Sequence, residues 1–308
     1  MFEENSKIWS NGKLIPWQDA KVHVMSHGLH YGSGIFEGIR AYNSPDGPMI
    51  FRLDEHLQRF FDSARVYQFK MPFAFEDLKQ GMIDLVRENG FKDCYLRPIA
   101  FVGYGRLGVY PNRDNIEVHI GSWPWGTYLG DGALENGVRV KVTSWKKYQT
   151  QMFPVMAKAT GQYLNSMLAV MDAKDNGFDE ALLLNANGEV AEGSGENIFL
   201  VKNGVIYTNP INASILAGIT RETIMEIAED LGYELKVQPI TVAEMMLADE
   251  AFFTGTAVEV TPIREVDLRP VGKDGDWPIM RRLQSAYFDI VKGKNPKYRR
   301  WLTPVYAD

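Results

Sequence analysis

Cysteine is nearly missing from this chain of 308 residues, which contains one, Cys94. One cysteine cannot form an intrachain disulfide, so the sequence excludes a disulfide framework and fits a reducing compartment. The polar, acidic residues 1–7 do not resemble a secretory signal, and no run approaches the roughly 20 apolar residues of a spanning helix. We therefore expect a cytoplasmic protein.

Positive charge is also in short supply, with 33 lysines and arginines against 39 aspartates and glutamates. Binding of nucleic acid or of an anionic membrane needs a basic surface, so we expect neither partner. The five histidines show no metal-ligand spacing, and we predict no metal site. The motifs of a P-loop and of a serine-hydrolase nucleophile elbow are missing as well.

Apolar residues are plentiful at 45% of the chain, and 308 residues exceed the comfortable size of one core. Three glycines and a proline interrupt both helical and strand periodicity in residues 124–132. We predict a small N-terminal α/β domain at 1–124, a connector at 125–133 and a larger C-terminal domain at 134–308. The mixture of helices with mainly antiparallel strands indicates an α+β or α/β fold.

Local patterns predict the elements of both domains. Asn11-Gly12 predicts a hairpin turn, and the glycine-rich residues 27–38 predict a loop that leads into a strand at 39–42. Leu57, Phe60, Phe61 and Ala64 form one apolar helical stripe. Helices are predicted from Asp54 and at 75–88, 162–176, 221–231, 242–248 and 279–292; strands are predicted at 94–102, 116–123, 138–145, 235–239 and 251–254, with a β-meander at 180–208.

Lys158 is the residue on which the functional interpretation depends. It lies in residues 154–163, where nearly all of its neighbours are small or apolar. Loss of hydration in such a setting disfavours the ammonium form and lowers the pKa. A neutral amine is a nucleophile that can form a Schiff base with an aldehyde. The alternative is a surface lysine that reaches solvent.

Two glycine-containing segments predict anion sites. Thr220 is the predicted N-cap of a helix that follows Gly218, and the N–H groups at a helix start suit a phosphate. The turn Thr254-Gly255-Thr256-Ala257 follows an apolar strand and offers N–H groups and a hydroxyl to an anion. An ordinary helix start and an ordinary turn are the alternatives.

Two charged residues are predicted to point inward from strands. Glu192 alternates with Val190, and a buried carboxylate needs a cationic or N–H partner, such as a protonated pyridine nitrogen. Arg97 shares a strand face with Tyr95 and there must find an anion, such as a substrate carboxylate. A solvated hairpin tip and a structural salt bridge are the alternatives.

In their order along the chain, these segments resemble the class IV (fold-type IV) aminotransferases that use pyridoxal 5′-phosphate. The similarity is closest to the branched-chain amino-acid aminotransferases and extends from Trp9 to about Pro262. It is carried by residues 24–27 (VMSH), 36–40 (FEGIR), 95–98 (YLRP), 157–159 (AKA), 192–199 (EGSGENIF), 218–221 (GITR) and 255–257 (GTA).

The resemblance implies a site for pyridoxal 5′-phosphate. Lys158 would hold the cofactor covalently and then act as the general base, and Glu192 would pair with the pyridine nitrogen. Tyr163 would hydrogen-bond the 3′-oxygen of the ring. The phosphate would be bound by Arg59, Ile219, Thr220 and Thr256, with Ile219 and Thr220 donating through their backbone N–H groups.

The resemblance also implies a substrate pocket formed by Phe36, Gly38, Tyr95, Arg97, Tyr128, Thr256 and Ala257. The turn at Thr256 and Ala257 would hold the α-carboxylate, and Arg97 the side-chain carboxylate of glutamate. Tyr31 and Val109 would come from a neighbouring subunit, which implies at least a homodimer. The implied fold has a small N-terminal α/β domain and a larger domain with a barrel-like β core.

The implied activity is amino transfer between L-leucine, L-isoleucine or L-valine and 2-oxoglutarate, which gives branched-chain 2-oxo acids and L-glutamate. D-Amino-acid aminotransferases, (R)-amine transaminases and aminodeoxychorismate lyases share the lysine and the glutamate, but Tyr95 and Arg97 favour the branched-chain class. A phosphate-binding protein without turnover is the non-enzymatic alternative. Arg106 and Ala217 depart from the family pattern, and Arg106 leaves strict branched-chain selectivity open.

Overall fold

A computed structural model of the chain describes residues 5–126, 128–272 and 275–306. The chain forms two compact units, described here as far as those residues extend. The first comprises Met1–Gly126, Ala157–Gln162 and Asp289–Asp308, and the second Thr127–Met156 and Tyr163–Phe288. Ala157–Gln162 and Asp289–Asp308 lie in the predicted C-terminal domain but belong to the first unit. Ala159 forms a bridge with Ile35, and Leu302 pairs with Phe51, both of the first unit.

The elements below are numbered in chain order within the described residues. The strands are β1 (Lys7–Ser10), β2 (Lys13–Pro16), β3 (Gly34–Phe36), β4 (Ile39–Ser44), β5 (Gly47–Phe51), β6 (Cys94–Val102), β7 (Ile116–Trp123), β8 (Val138–Lys146), β9 (Glu180–Leu184), β10 (Val190–Gly193), β11 (Asn197–Lys202), β12 (Val205–Thr208), β13 (Leu235–Val237), β14 (Glu250–Gly255), β15 (Glu259–Val266), β16 (Arg269–Pro270) and β17 (Leu302–Pro304). The α-helices are α1 (His27–Tyr31), α2 (Leu53–Val66), α3 (Phe75–Asn89), α4 (Ala133–Asn136), α5 (Tyr163–Asp175), α6 (Ile219–Asp230), α7 (Val242–Met246) and α8 (Pro278–Val291).

The first unit is built on an antiparallel sheet with the strand order β17-β5-β4-β6-β7-β1-β2, and β3 pairs with β6 beside it. Helices α2 and α3 contribute to one apolar core with this sheet, through residues that include Leu57, Phe60, Leu78 and Leu85. The predicted stripe on α2 is confirmed, since Leu57, Phe60 and Ala64 are buried. Burial of this stripe fixes the face of α2 that carries the charged residues of the site.

The second unit contains a sheet with the strand order β10-β9-β8-β15-β14-β11-β12-β13, and β16 pairs with β15. The sheet curls back on itself. The N–H of Val190 in β10, at one edge, donates to the carbonyl of Ile240, just beyond β13 at the other edge, at 2.8 Å. This curvature gives the barrel-like β core of fold-type IV, as predicted.

Most of the predicted elements are confirmed. β6 and β7 have the predicted bounds, and α3, α5 and α8 lie close to theirs. Asn11 and Gly12 form the hairpin turn between β1 and β2, with φ of 45° and 90°. Positive φ at both central residues is the geometry that a two-residue hairpin turn needs. No helix in the described part of the chain is long and apolar enough to cross a membrane.

Two predictions of local structure are wrong because a distant segment decides the outcome. Residues 27–38 are not a simple loop: they contain α1, which ends at Gly32 with φ of 61°, and β3, which is formed by pairing with β6. The predicted meander at 180–208 is interrupted after β10, since β11 pairs with β12 and β14 instead.

The start of α6 also differs from the prediction. The helix begins at Ile219 with Gly218 as its N-cap, so Thr220 lies inside the first turn and does not cap it. Asn197 lies beside this glycine: a Cβ at position 218 would fall 1.9 Å from Asn197 Oδ1. The close approach of β11 therefore selects glycine at the cap.

Candidate active site

The backbone of Lys158 is held by two elements of the first unit. Its N–H donates to Ser63 Oγ on α2 at 3.0 Å, and its carbonyl accepts from the N–H of Phe36 at 3.0 Å. The next residue, Ala159, forms a β-bridge with Ile35 of β3. Because these contacts flank the residue on both sides, the lysine is presented from fixed backbone.

The amine of Lys158 lies 4.9 Å from the centre of the Phe36 ring. Burial, together with the positive charge of Arg59, lowers the pKa of Lys158 to about 8, although Glu37 and Tyr95 act in the opposite direction. The lowered pKa is the one predicted from the sequence. A larger share of this amine is neutral near pH 7 than of an ordinary lysine, which makes it a better nucleophile.

Glu37 organises the charges beside this lysine. Its carboxylate is fully buried and accepts from Arg59 Nε at 2.6 Å, from Arg59 Nη2 at 2.8 Å and from His56 Nδ1 at 2.8 Å. Burial opposes its ionisation, but Arg59 and His56 hold the pKa of Glu37 well below its usual range. The sequence interpretation missed this role, although Glu37 lies within the FEGIR segment. The carboxylate fixes the guanidinium of Arg59 in a bidentate contact.

Phe36, Gly38, Tyr95 and Arg97 come together in the first unit. The guanidinium carbon of Arg97 lies 4.8 Å from the centre of the Phe36 ring, and its Nη2 donates to Tyr95 Oη at 3.3 Å. Arg97 Nε is buried without a hydrogen-bond partner among the described residues. A Cβ at position 38 would fall 1.9 Å from Tyr95 Oη, so only glycine leaves room for this hydroxyl. The arrangement leaves Arg97 able to bind a carboxylate.

Glu192 lies in the second unit, at the end of the bulged strand β10. Its Oε1 forms an ion pair with Lys147 Nζ at 2.6 Å, and its Oε2 accepts from Asn197 Nδ2 at 3.1 Å and from the N–H of Leu216 at 3.0 Å. Only 5% of the Glu192 side chain is exposed, so it is not a solvated hairpin tip. Sequence reasoning missed Lys147, which lies in an unremarkable pair of lysines.

Two further carboxyls are buried in the second unit, Glu180 and Glu196, and the charge of Glu192 acts on Glu196. Burial, followed by the charge of Glu180, raises the pKa of Glu196 well above its usual range, and burial likewise raises the pKa of Glu180. Glu196 Oε2 accepts from the N–H of Gly195 at 2.9 Å.

The predicted phosphate-binding residues of the second unit lie at two element ends. Ile219 and Thr220 form the first turn of α6, and both are buried. Thr256 and Ala257 form a half-buried turn directly after β14. Asn197 connects the start of α6 with Glu192, because its amide also donates to the carbonyl of Leu216 at 2.9 Å.

The remaining predicted residues occupy more open positions. Tyr163 is the first residue of α5 and contributes to the electrostatic environment of Lys147. The side chains of Tyr31, Val109 and Tyr128 are 47%, 88% and 48% exposed. The described residues contain no group of histidine, cysteine and carboxylate side chains that could hold a metal ion.

A buried lysine with a lowered pKa in the first unit, and an anchored carboxylate and a barrel-like core in the second, are the features to compare with known proteins. The model of the family Amino-transferase class IV matches residues 34–266, and the chain belongs to this family. It is 45% identical over 305 residues to the branched-chain-amino-acid aminotransferase of Pseudomonas aeruginosa, with 99% of both sequences covered. It is 44% identical over 299 residues to that of Escherichia coli K12, with 97% of both covered.

Solved structures give the same result. The T.th. branched-chain amino acid aminotransferase with pyridoxamine 5′-phosphate is similar at a TM-score of 0.95 and 46% identity, with 99% of this chain and 100% of that chain covered. The Escherichia coli branched-chain amino acid aminotransferase is similar at a TM-score of 0.96 and 43% identity, with 98% and 100% covered.

Proposed function

We propose that the protein is a pyridoxal 5′-phosphate-dependent aminotransferase that moves the amino group of L-leucine, L-isoleucine or L-valine to 2-oxoglutarate. The observation that carries the proposal is the position of Lys158, whose backbone is held by Ser63 and Phe36 and whose amine lies 4.9 Å from the centre of the Phe36 ring. Similarity to branched-chain aminotransferases over 97% or more of the chain supports the substrate class. The products are branched-chain 2-oxo acids and L-glutamate.

The residues present fit this cofactor. When bound, pyridoxal 5′-phosphate supplies an electron sink for reactions at the α-carbon of an amino acid. Lys158 offers the amine that an aldehyde requires, and Glu192 offers an oriented carboxylate for the ring nitrogen. Tyr163 would bind the 3′-oxygen. Arg59 and Thr256, with the backbone N–H groups of Ile219 and Thr220, would bind the phosphate.

Lys158 also moves the proton in this proposal. The lowered pKa favours its neutral form, which can accept the proton that leaves the substrate α-carbon. The backbone contacts with Ser63 and Phe36 hold the main chain of Lys158 in place. A functional side chain needs such support to keep its geometry defined.

The residues of the proposed substrate pocket also fit their ligands. Arg97 has a buried Nε without a partner among the described residues, and we assign the γ-carboxylate of glutamate to it. Phe36 and Tyr95 flank the guanidinium and offer apolar surface to an aliphatic side chain. Gly38 would serve the pocket by leaving room for the Tyr95 hydroxyl, which a Cβ at position 38 would meet at 1.9 Å. Tyr128, Thr256 and Ala257 complete the proposed pocket, with the last two at the α-carboxylate.

A second copy of the chain is part of this proposal. Leu164, Met167, Leu168 and Met171 form an apolar stripe on α5, and each is at least 36% exposed. Exposed apolar stripes of this kind mark protein interfaces. Tyr31 and Val109 are exposed as well, and we propose that they border the active site of the neighbouring subunit. The minimal assembly is a homodimer.

We also propose a cytoplasmic location. The one cysteine, Cys94, is a buried free thiol, and burial raises its pKa to about 12, which keeps it inert. The relatives named above are bacterial branched-chain-amino-acid aminotransferases.

The test of the function is a survey of half-reactions. The purified holoenzyme is mixed with single amino donors, and the visible absorbance of the bound cofactor is followed. We expect L-leucine, L-isoleucine, L-valine and L-glutamate to change it, while D-alanine and (R)-1-phenylethylamine do not. Lys158→Ala should lower the overall rate by several orders of magnitude, because it removes both the covalent anchor and the base. Response to D-alanine alone would contradict the proposal.

A further inference from the structure

The carboxylate of Glu192 is anchored from three directions within the second unit. Lys147 Nζ lies 2.6 Å from Oε1, while Asn197 and the N–H of Leu216 donate to Oε2. The pair is almost buried, with 12% of the Lys147 side chain and 5% of the Glu192 side chain exposed. A buried pair is maintained only while both partners are present, because either charge alone is costly to desolvate.

The number of acceptor positions shows what this anchoring leaves open. An ionised carboxylate has about four lone-pair positions. The contacts of Lys147, Asn197 and Leu216 use three of them, two on Oε2 and one on Oε1. One position on Oε1 has no donor among the described residues. Lys147 therefore determines which direction of Oε1 remains available to a donor that is not part of the chain.

The charges around Lys147 identify its partner. Burial acts to lower the pKa of Lys147, but Glu192, with smaller contributions from Tyr163 and Glu196, raises it above its usual value. The ammonium is therefore retained, and it offsets the charge of Glu192 inside a cluster that otherwise contains acids. Glu180 and Glu196 complete that cluster.

We propose that Lys147 is a positioning residue for the cofactor: by holding Oε1 of Glu192, it aims the carboxylate at the pyridine nitrogen and compensates its charge. This inference rests on the proposed function, since it takes pyridoxal 5′-phosphate as the donor that meets Glu192. None of the sequence motifs includes Lys147, which directly follows β8. Its role becomes visible only from the ion pair.

Removal of the Lys147 charge has a defined consequence. Glu192 would be left as a buried carboxylate with hydrogen bonds on one oxygen only. Such a group turns toward another donor or takes up a proton, because an unpaired buried charge is unfavourable. Either response weakens its contact with a protonated ring nitrogen.

Three variants of the full-length protein test the proposal. Lys147→Met removes the charge at similar side-chain length, whereas Lys147→Arg keeps the charge. Lys141→Met is the matched control: Lys141 lies on β8 and forms an ion pair with Asp172 at 2.7 Å. Each protein is freed of cofactor and titrated with pyridoxal 5′-phosphate. The dissociation constant and the pH dependence of the bound cofactor's absorbance are measured.

We expect Lys147→Met to raise the dissociation constant for pyridoxal 5′-phosphate by about tenfold to a hundredfold, by analogy with the loss of the outer partner of a metal-ligating side chain. It should also displace the pH at which the absorbance changes. Lys147→Arg should restore both properties, and Lys141→Met should leave both at wild-type values. If Lys147→Met lowers only the melting temperature, Lys147 is a structural ion pair and the proposal is overturned.

A double variant keeps the test decisive if Lys147→Met does not fold. Lys147→Met combined with Glu192→Gln leaves no buried charge unpaired at this pair. If Lys147 acts through Glu192, the double variant has the dissociation constant and pH profile of Glu192→Gln alone, and an additional loss overturns the proposal. A wild-type protein that does not bind pyridoxal 5′-phosphate would overturn the proposed function as well, which distinguishes the two failures.

Discussion

Two buried lysines of this protein have opposite properties because their neighbours differ. Lys158 is buried beside the positive charges of Arg59 and Arg97, so its pKa falls to about 8. Burial acts on Lys147 in the same direction, but the carboxylate of Glu192 outweighs it and raises the pKa. One side-chain type thus has a lowered pKa in one unit and a raised pKa in the other.

At the residue scale we predict that Glu196→Gln makes stability less dependent on pH. Burial and Glu180 raise the pKa of Glu196 in the folded state above the ordinary value of 4.5. The folded protein then binds more protons than the unfolded chain above pH 4.5, so wild-type stability falls as pH rises from there through the folded-state pKa. The glutamine variant lacks this loss.

The measurement is the free energy of unfolding in denaturant, from pH 4.5 to about 8. Glu229→Gln, at an exposed position of α6, is the control and should follow the wild-type curve. Equal slopes for wild type and Glu196→Gln would show that Glu196 is ionised in the folded protein across this range.

At the level of helices and strands, the site residues are presented by ends and edges of short segments. Residues 157–162 bring Lys158 beside β3 through a single bridge and two backbone hydrogen bonds. In the second unit, the start of α6 lies against Asn197 of β11, whose amide also holds Glu192. The orientation of Glu192 therefore depends on how closely a helix start approaches a strand.

We predict that Gly218→Ala weakens cofactor binding without straining the backbone. The φ of Gly218 is −74°, which alanine adopts, but the added Cβ would fall 1.9 Å from Asn197 Oδ1. Either α6 shifts or Asn197 rotates and loses its hydrogen bonds, at about 1 kcal/mol each. We expect a loss of about 1.4 kcal/mol of binding free energy, which raises the dissociation constant for pyridoxal 5′-phosphate about tenfold. A spectroscopic titration measures this constant.

Gly126→Ala is the matched control for this substitution. A Cβ at position 126 meets no atom within 4 Å, and its backbone has no positive φ. Its affinity for the cofactor should equal that of the wild type. An unchanged dissociation constant in Gly218→Ala would mean that Asn197 is not needed to orient Glu192.

Over the molecule as a whole, each unit has its own sheet, but part of the apolar surface is left uncovered. The stripe on α5 repeats at the helical spacing of a buried face, yet Leu164, Met167 and Met171 are 60%, 51% and 52% exposed. The apolar stripe of α5 has the spacing of a buried helix face, but a single copy of the chain leaves it exposed.

We predict that Met167→Glu breaks the proposed homo-oligomer. A carboxylate in the centre of an apolar interface must be desolvated, which costs more than the interface gains there. Size-exclusion chromatography with light scattering should show a monomer, and the rate with L-leucine should fall because Tyr31 and Val109 of the neighbour are lost. Leu247→Glu, at an isolated exposed position, is the control that should remain oligomeric. An oligomeric Met167→Glu would place the interface elsewhere.

Long periodic elements were predictable from the sequence because their signal is local. The apolar runs of β6 and β7 predict the observed bounds, and the stripe of α2 predicts the start of that helix to within one residue. The prediction of Thr220 as the N-cap is wrong, since the cap is Gly218. Asn197 leaves no room for a side chain at position 218, and this contact cannot be read from the local sequence because Asn197 is distant in the chain. The short strand β3 was missed for the same reason, since its partner is β6.

The family and the residue types of the chemistry follow from the amino-acid order alone, because Lys158, Glu192, Arg97 and the glycines around them occur in recognisable local motifs. Only the folded structure shows which charged side chains form pairs. Glu37 with Arg59, and Lys147 with Glu192, are pairs from separate elements. Electrostatic energy depends on distance in space and on burial, and spacing along the chain determines neither of them for such pairs.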